Sequence, residues 1–370
     1  MKRAFAVLGL VLLLGAWAAD LPVRILLDKT TLAEVRLEGP HSLWSWSGRL
    51  AGVDGAATYR VFATDRGIEV GCDDPPCAVQ GYVGNLISFV PKEGAVEVDG
   101  RRYRGFLRVV WQEGELWLIN RVELEDYLQG VLPGEVPASF PYEVLKAQAI
   151  LARTYTLSRL GSNPYYDLCA TAQCQVYLGL DAETERHTLA VRDTAGRILA
   201  YQGEPISAVY HADSGGTTAA AEEVWGRPIP YLQARDDPWS PRRSWSVRVS
   251  PGEVQRALAG LGRSVSAVQG LEVLATGPSG RITRVGVATP EGQVVLKVPE
   301  AGRFLRALGL PSTLATLSGW TFEGRGSGHG VGMSQWGARG LARQGWSYRQ
   351  ILAYYYPHTV LTSFRLSASR

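Results

Sequence analysis

The sequence predicts an α+β protein, a β-rich N-terminal region followed by a mixed α/β core, and three observations carry that expectation. Residues 21–120 hold short alternating apolar and polar runs separated by turns, the period-2 signature of strands. Two segments between about 124 and 160 place apolar residues at helical spacing. Beyond them, strand-like and helix-like blocks are mixed rather than strictly alternating, which argues against a doubly wound parallel sheet.

The elements follow in order. Residues 1–19 read as a secretory signal: Met1-Lys2-Arg3 is a basic start, an apolar stretch runs over 4–14, and Ala16 to Ala18 forms a small-residue cleavage site. The apolar stretch is too short to span a bilayer, so an exported chain with no membrane span in its mature form is expected. Residues 20–100 form the β-rich N-terminal region, with strand-like runs at 23–26, 35–37, 59–61, 67–70 and 96–98. Runs 106–111 and 116–119 flank Gln112-Glu113-Gly114 as a hairpin. Leu124, Leu128 and Val131 predict a helix ending near Val131, where Pro133-Gly134 opens a turn carrying Glu135. A second helix over about 142–160 aligns Leu145, Ala149, Ala152 and Tyr155 and stops at Gly161.

Residues 197–212 have a hairpin pattern around Gly203-Glu204. Ser250-Pro251-Gly252-Glu253 is a capping box with proline at the first helical position, opening a helix to about 261. Strand-like runs at 271–275, 282–287 and 294–298 precede a helix near 304–308, and a last helix opens at Ser347 and ends at Pro357.

Bulk properties exclude some functions. A net charge of +3 from 38 basic and 35 acidic residues, interspersed, gives no electrostatic footprint for nucleic acid. The four cysteines form two pairs of one spacing, Cys72/Cys77 and Cys169/Cys174. In an exported chain such pairs favour disulfides, each small loop contributing about 2 kcal/mol in the chain-entropy model. The rival, a metal site, needs further ligands, and no histidine adjoins either pair. No metal and no cofactor are expected. Eleven Trp and sixteen Tyr permit stacking on sugars, although large rings mostly fill cores.

Two stretches carry candidate chemistry. Leu132, Val136, Pro137 and Phe140 hem in Glu135, and desolvation raises a carboxyl pKa, keeping a proton donor near neutral pH as glycosidic cleavage requires. A glutamate beside Pro and Gly also reads as a solvated loop charge, and a following helix N-terminus would favour the ionised form. The second stretch places glycine at every other position from Gly324 to Gly332, around His329. An extended segment so bare on one face is either a packing seam or a ligand groove, and it lacks the Lys-Ser/Thr of a phosphate loop. Asp213-Ser214-Gly215-Gly216 after His211 looks like a protease nucleophile loop, but no base and orienting acid accompany it, so a turn near a site is the better reading.

Four separated segments carry a resemblance. They are Glu125 to Tyr155, with Gly134-Glu135-x-Pro137-Ala138 inside it; Cys174-Gln175-Val176-Tyr177; Tyr210-His211 to Gly216 with Val224-Trp225-Gly226; and Gly326 to Ala338. In this order they resemble the SpoIID/LytB family of bacterial cell-wall proteins, and the resemblance defines a domain over 101–362. It implies an extracytoplasmic lytic transglycosylase of peptidoglycan glycan strands with Glu135 as the acid/base. Some members are described as enhancers of a cell-wall amidase, so a non-catalytic glycan-binding role with an amidase partner is the alternative. Arg153, His211, Ser214, Arg325, His329 and Gln335 are expected to line the substrate groove, a basic member meeting the muramoyl lactyl carboxylate. Some relatives have a histidine just before the second cysteine of the Cys169/Cys174 pair; Gln173 stands there, which favours a disulfide.

Overall fold

The computed structural model describes residues 21–72 and 78–364. The signal expected over 1–19 lies outside them, as does Cys77 and with it the expected Cys72/Cys77 disulfide. Residues 21–123, joined by the short strand Leu168–Cys169, form two β-sheets packed face to face. The first runs in the order Leu168–Cys169, Pro22–Thr30, Glu115–Glu123, Phe106–Gln112, Leu86–Pro91, His41–Ser45, Gly48–Val53. The second is built from Arg101–Tyr103, Val96–Val98, Leu32–Leu37, Ala57–Thr64, Gly67–Cys72 and Gly81–Gly84. Alternation decides which side chains meet: Val23, Ile25, Leu107, Val109 and Leu118 face Val35, Leu37, Val61 and Val70 in one buried core. The expected hairpin is present, with Gln112 opposite Glu115 and positive φ at Glu113 (51°) and Gly114 (85°), the conformation a two-residue turn of matching twist demands. The first sheet crosses residue 100 without a break, since Phe106–Gln112 pairs with Leu86–Pro91.

Strand Glu115–Glu123 runs straight into helix α1 (Leu124–Glu135), which packs on α2 (Tyr142–Leu157) and α3 (Glu185–Asp193). α2 is enclosed almost throughout, and its Thr154 and Thr156 hydroxyls satisfy themselves within the helix by donating to the carbonyls of Ile150 and Ala152. The expected hairpin at 197–212 is shorter than its pattern: Tyr201 pairs with Glu204, whereas Tyr210–His211 leaves it and runs parallel to Met333–Ser334. Between them lie α4 (Ala221–Trp225) and a section with its own core. In that section α5 (Pro251–Ala259) and α6 (Glu300–Ala307) cover the meander Gly270–Thr276, Ile282–Thr289, Gly292–Lys297. Helices α7 (Gln335–Arg343) and α8 (Tyr348–Tyr355) return to the first core, α8 opening on the capping box Ser347/Gln350. The architecture is α+β with a β-rich N-terminal region. No helix among the described residues is long and apolar enough to cross a membrane.

Candidate active site

α1 continues past the point at which its sequence pattern predicts a stop. Pro133 sits in the last turn, where its missing N–H removes one hydrogen bond, and Val136 N–H closes the helix on the Leu132 carbonyl at 3.0 Å. Glu135 is therefore the final residue of α1. The expectation that a helix N-terminus favours its charge is corrected: its backbone stands at the negative end of α1.

The setting of Glu135 is made by residues distant in sequence. The segment after the disulfide Cys169–Cys174 (Cα–Cα 5.4 Å) lies against α1, and Val176 N–H donates to Glu135 Oε1 at 2.9 Å. The approach requires glycine on α1: a Cβ at Gly134 would stand 2.8 Å from the Val176 carbonyl oxygen, and one at Gly130 would stand 2.6 Å from the Tyr177 ring. Gly134→Ala is expected to push this segment off α1, lowering the melting temperature and, because Glu135 loses its N–H donor, activity as well. A Gly134→Ala chain with both values intact would contradict this packing.

Two side chains complete the site. The Tyr210 hydroxyl and the Gln335 amide both donate to the Glu135 carboxylate. Buried Gln175 positions Tyr210: its Oε1 accepts from Tyr127 (3.2 Å) and lies 2.9 Å from the Thr156 hydroxyl, while its Nε2 lies 3.3 Å from the Ala152 carbonyl and 3.2 Å from the Tyr210 hydroxyl. Gln335 Nε2 also reaches Gln148 Oε1 at 3.5 Å. Burial raises the Glu135 pKa, and the hydrogen bonds from Val176, Tyr210 and Gln335 only partly offset it. The three partners are neutral, and no cation among the described residues acts on the carboxylate.

A raised folded-state pKa has a sign in stability. Folding prefers the protonated carboxyl, so a penalty is absent below the unfolded pKa and grows as pH rises through the folded one. Glu135→Gln, which keeps the acceptor for Val176, is therefore expected to melt above the parent at neutral pH and level with it near pH 4. Thermal melts across pH check this, and equal melting temperatures at neutral pH would contradict it.

The other expected groove residues are dispersed. Gln335 joins Glu135 directly. His211 follows Tyr210 on the strand and points to its other side, its Nδ1 3.1 Å from the Val331 carbonyl and its ring 5.6 Å from that of His329. Burial lowers the His211 pKa strongly, and burial with Arg306 pushes His329 down to about 4. Both imidazoles are neutral at neutral pH, so neither supplies the cation expected for a carboxylate. Ser214 is fully buried and donates to Asp237 at 2.6 Å with no imidazole at its hydroxyl, which fits a turn and not a nucleophile. Arg153 is 1% exposed and holds Glu125 by two hydrogen bonds of 2.7 and 2.6 Å, besides the carbonyls of Arg197 and Val191. Arg325 is exposed in a separate concavity with Leu314 and Thr316.

The alternating glycines are a packing seam and not an extended strand. From Gly326 to Gly332 every second residue has positive φ, and a Cβ at Gly332 would fall 2.0 Å from the Val209 carbonyl oxygen. What approaches their backbone is largely segment 209–215 of the same chain. Reading the sequence for charge and nucleophiles passed over Gln175 and Tyr210. Both stand within the motifs quoted above, and it is their place next to Val176 and His211 that could have marked them.

A family model described as SpoIID, Stage II sporulation protein, matches residues 112–201, the span that holds α1, Glu135, the disulfide and Gln175. The chain is 32% identical over 274 residues to stage II sporulation protein D of Bacillus subtilis, covering 66% of this chain and 76% of that protein. The chain belongs to the SpoIID family. Two further relatives are similar to it. The amidase enhancer of Bacillus subtilis is 30% identical over 76% of this chain, which spans about half (47%) of that longer protein. An uncharacterized protein of Brachyspira hyodysenteriae is 27% identical over 87% of both. A second model, a domain of unknown function (DUF8618), matches residues 236–332, which include the section with its own core.

Proposed function

We propose that this SpoIID-family chain is an exported lytic transglycosylase that cuts the N-acetylmuramic acid to N-acetylglucosamine bond of peptidoglycan, its working unit being residues 101–362. The observation that carries the reading is Glu135, which lies within the family's matched span and whose carboxyl is raised in pKa by burial and hydrogen-bonded by three neutral donors. As the acid, Glu135 gives its proton to the glycosidic oxygen as the bond to muramoyl C1 breaks. The carboxylate then takes the proton of the muramoyl 6-hydroxyl, whose oxygen closes on C1 to leave a 1,6-anhydro ring. One carboxyl group serves both steps, and no second carboxylate has to activate water. Tyr210 and Gln335 stabilise the carboxylate between the two transfers.

Solvent oxygen discriminates the chemistry. With glycan strands in 18O-water, the transglycosylase yields anhydro ends free of label, whereas a hydrolase yields labelled reducing ends. The similarity to an amidase enhancer supports a second reading, in which the chain binds glycan and stimulates a cell-wall amidase. Under that reading Glu135→Gln and the parent stimulate a purified amidase equally, and neither releases glycan fragments alone.

A further inference from the structure

One face of the seven-stranded sheet turns away from the main core. On strand Phe106–Gln112, Leu107 and Val109 enter that core, while Phe106, Arg108 and Val110 point the other way. The register continues this outer face across the sheet, Arg108 beside Ser88 and Ser88 beside Trp44, with Phe106 beside Arg121 on the opposite flank. At one end the face is closed by Leu26, Leu86, Val110 and Ile119 under Trp117, Tyr165 and Tyr166. The rest is a concavity of about 440 Å³ that includes Trp44, Trp46, Ser88, Phe106 and Arg108.

Its chemistry is unbalanced in two ways. Trp46 is 79% exposed and Trp44 42%, and the Trp44 indole N–H is fixed on Ser42 Oγ at 2.8 Å, presenting its ring to solvent. Arg108 and Arg121 have no carboxylate partner among the described residues. The nearby Arg24 already holds Asp167 at 2.7 Å. Burial lowers the Arg108 pKa, and the charges acting on it, Arg121 and Arg24, are both cations. The Arg121 guanidinium lies 5.5 Å from the Phe106 ring, with its buried Nε unpartnered. Two half-desolvated guanidiniums on neighbouring strands form a receptor for a carboxylate, and two exposed indoles beside them suit the apolar face of a sugar ring.

We propose that this outer face is an accessory binding site for an acidic saccharide, its ring stacked on Trp44 and Trp46 and its carboxylate received by Arg108 and Arg121. Resting on the cell-wall reading above, the saccharide is a muramoyl unit, whose lactyl group supplies the carboxylate. A strand held here and at Glu135 gains from effective concentration, so long strands bind more tightly than disaccharides.

The test reads binding on the Glu135→Gln chain, independently of cutting. Indole 1H–15N resonances of Trp44 and Trp46, assigned through Trp44→Phe and Trp46→Phe, are followed with an N-acetylglucosaminyl-N-acetylmuramic acid disaccharide, with uncharged chitobiose, and with the free stem peptide. The disaccharide is expected to shift both indoles. Arg108→Gln/Arg121→Gln, or the surface change Trp46→Ala, is expected to weaken its binding by at least about tenfold. Indoles that stay still at millimolar disaccharide overturn the proposal. So does an equal response to chitobiose, which removes the carboxylate, or to the stem peptide alone, which makes the face a peptide site. Intact shifts together with a parent chain that releases no anhydro ends would instead sink the transglycosylase reading and leave this site standing.

Discussion

Glu135→Gln is expected to lower the rate of glycan cleavage by on the order of a hundred- to ten-thousand-fold, the range a positioned proton transfer contributes. Glutamine keeps the acceptor for Val176 N–H, so the site retains its shape and loses only the proton. Tyr210→Phe is expected to cost less, since it removes one of three donors to the carboxylate. The pH profile has a sign too. Cleavage begins from the protonated acid, so its rate falls as pH climbs through the raised Glu135 pKa, and the alkaline limb lies above the range of an exposed glutamate. Initial rates of both variants across pH are the check. A Glu135→Gln chain within tenfold of the parent would remove Glu135 from the chemistry.

Glu125→Ala is the second large effect, and it falls on stability. The Arg153 guanidinium is 1% exposed, and among the described residues Glu125 is its only anionic partner, at 2.6 Å. Taking one partner from a buried pair costs about 3–5 kcal/mol because the other charge is left without compensation. The Glu125 side chain is 32% exposed, which places the expected loss at the lower end. The pair ties the first turn of α1 to α2, and Arg153 goes on to the carbonyls of Val191 and Arg197, so one side chain links α1, α2, the end of α3 and the strand after it. A denaturant midpoint that moves little in Glu125→Ala would contradict this account. Arg153→Lys is expected to destabilise the fold while leaving glycan KM unchanged, which separates a structural Arg153 from one that meets substrate.

Much of the architecture was legible because periodicity is local. The hairpin at Gln112–Glu115 and the α8 capping box announce themselves within four residues. The end of α1 did not, because whether Pro133 stops a helix or merely sits in its last turn depends on what the next residues pack against. Strands His41–Ser45 and Gly48–Val53 were missed: their hairpin is polar and glycine-rich, and the second sheet decides which face is buried. The site divides in the same way. Glu135 stood out from its apolar turn and its motif. The groups that tune it arrive from three other segments, at Val176, Tyr210 and Gln335, and only the fold brings them together. Glycine alternation correctly marked a close approach, but sequence cannot say whether a ligand or the chain itself makes it; Val209 answers that.

Mass spectrometry of purified glycan strands, intact and stripped of stem peptides, after incubation with the parent and with Glu135→Gln tests the central claim most directly. The account predicts fragments ending in 1,6-anhydro-N-acetylmuramic acid from the parent and none above background from the variant. Anhydro ends produced equally by both, or no fragments from either substrate with the parent, would contradict it.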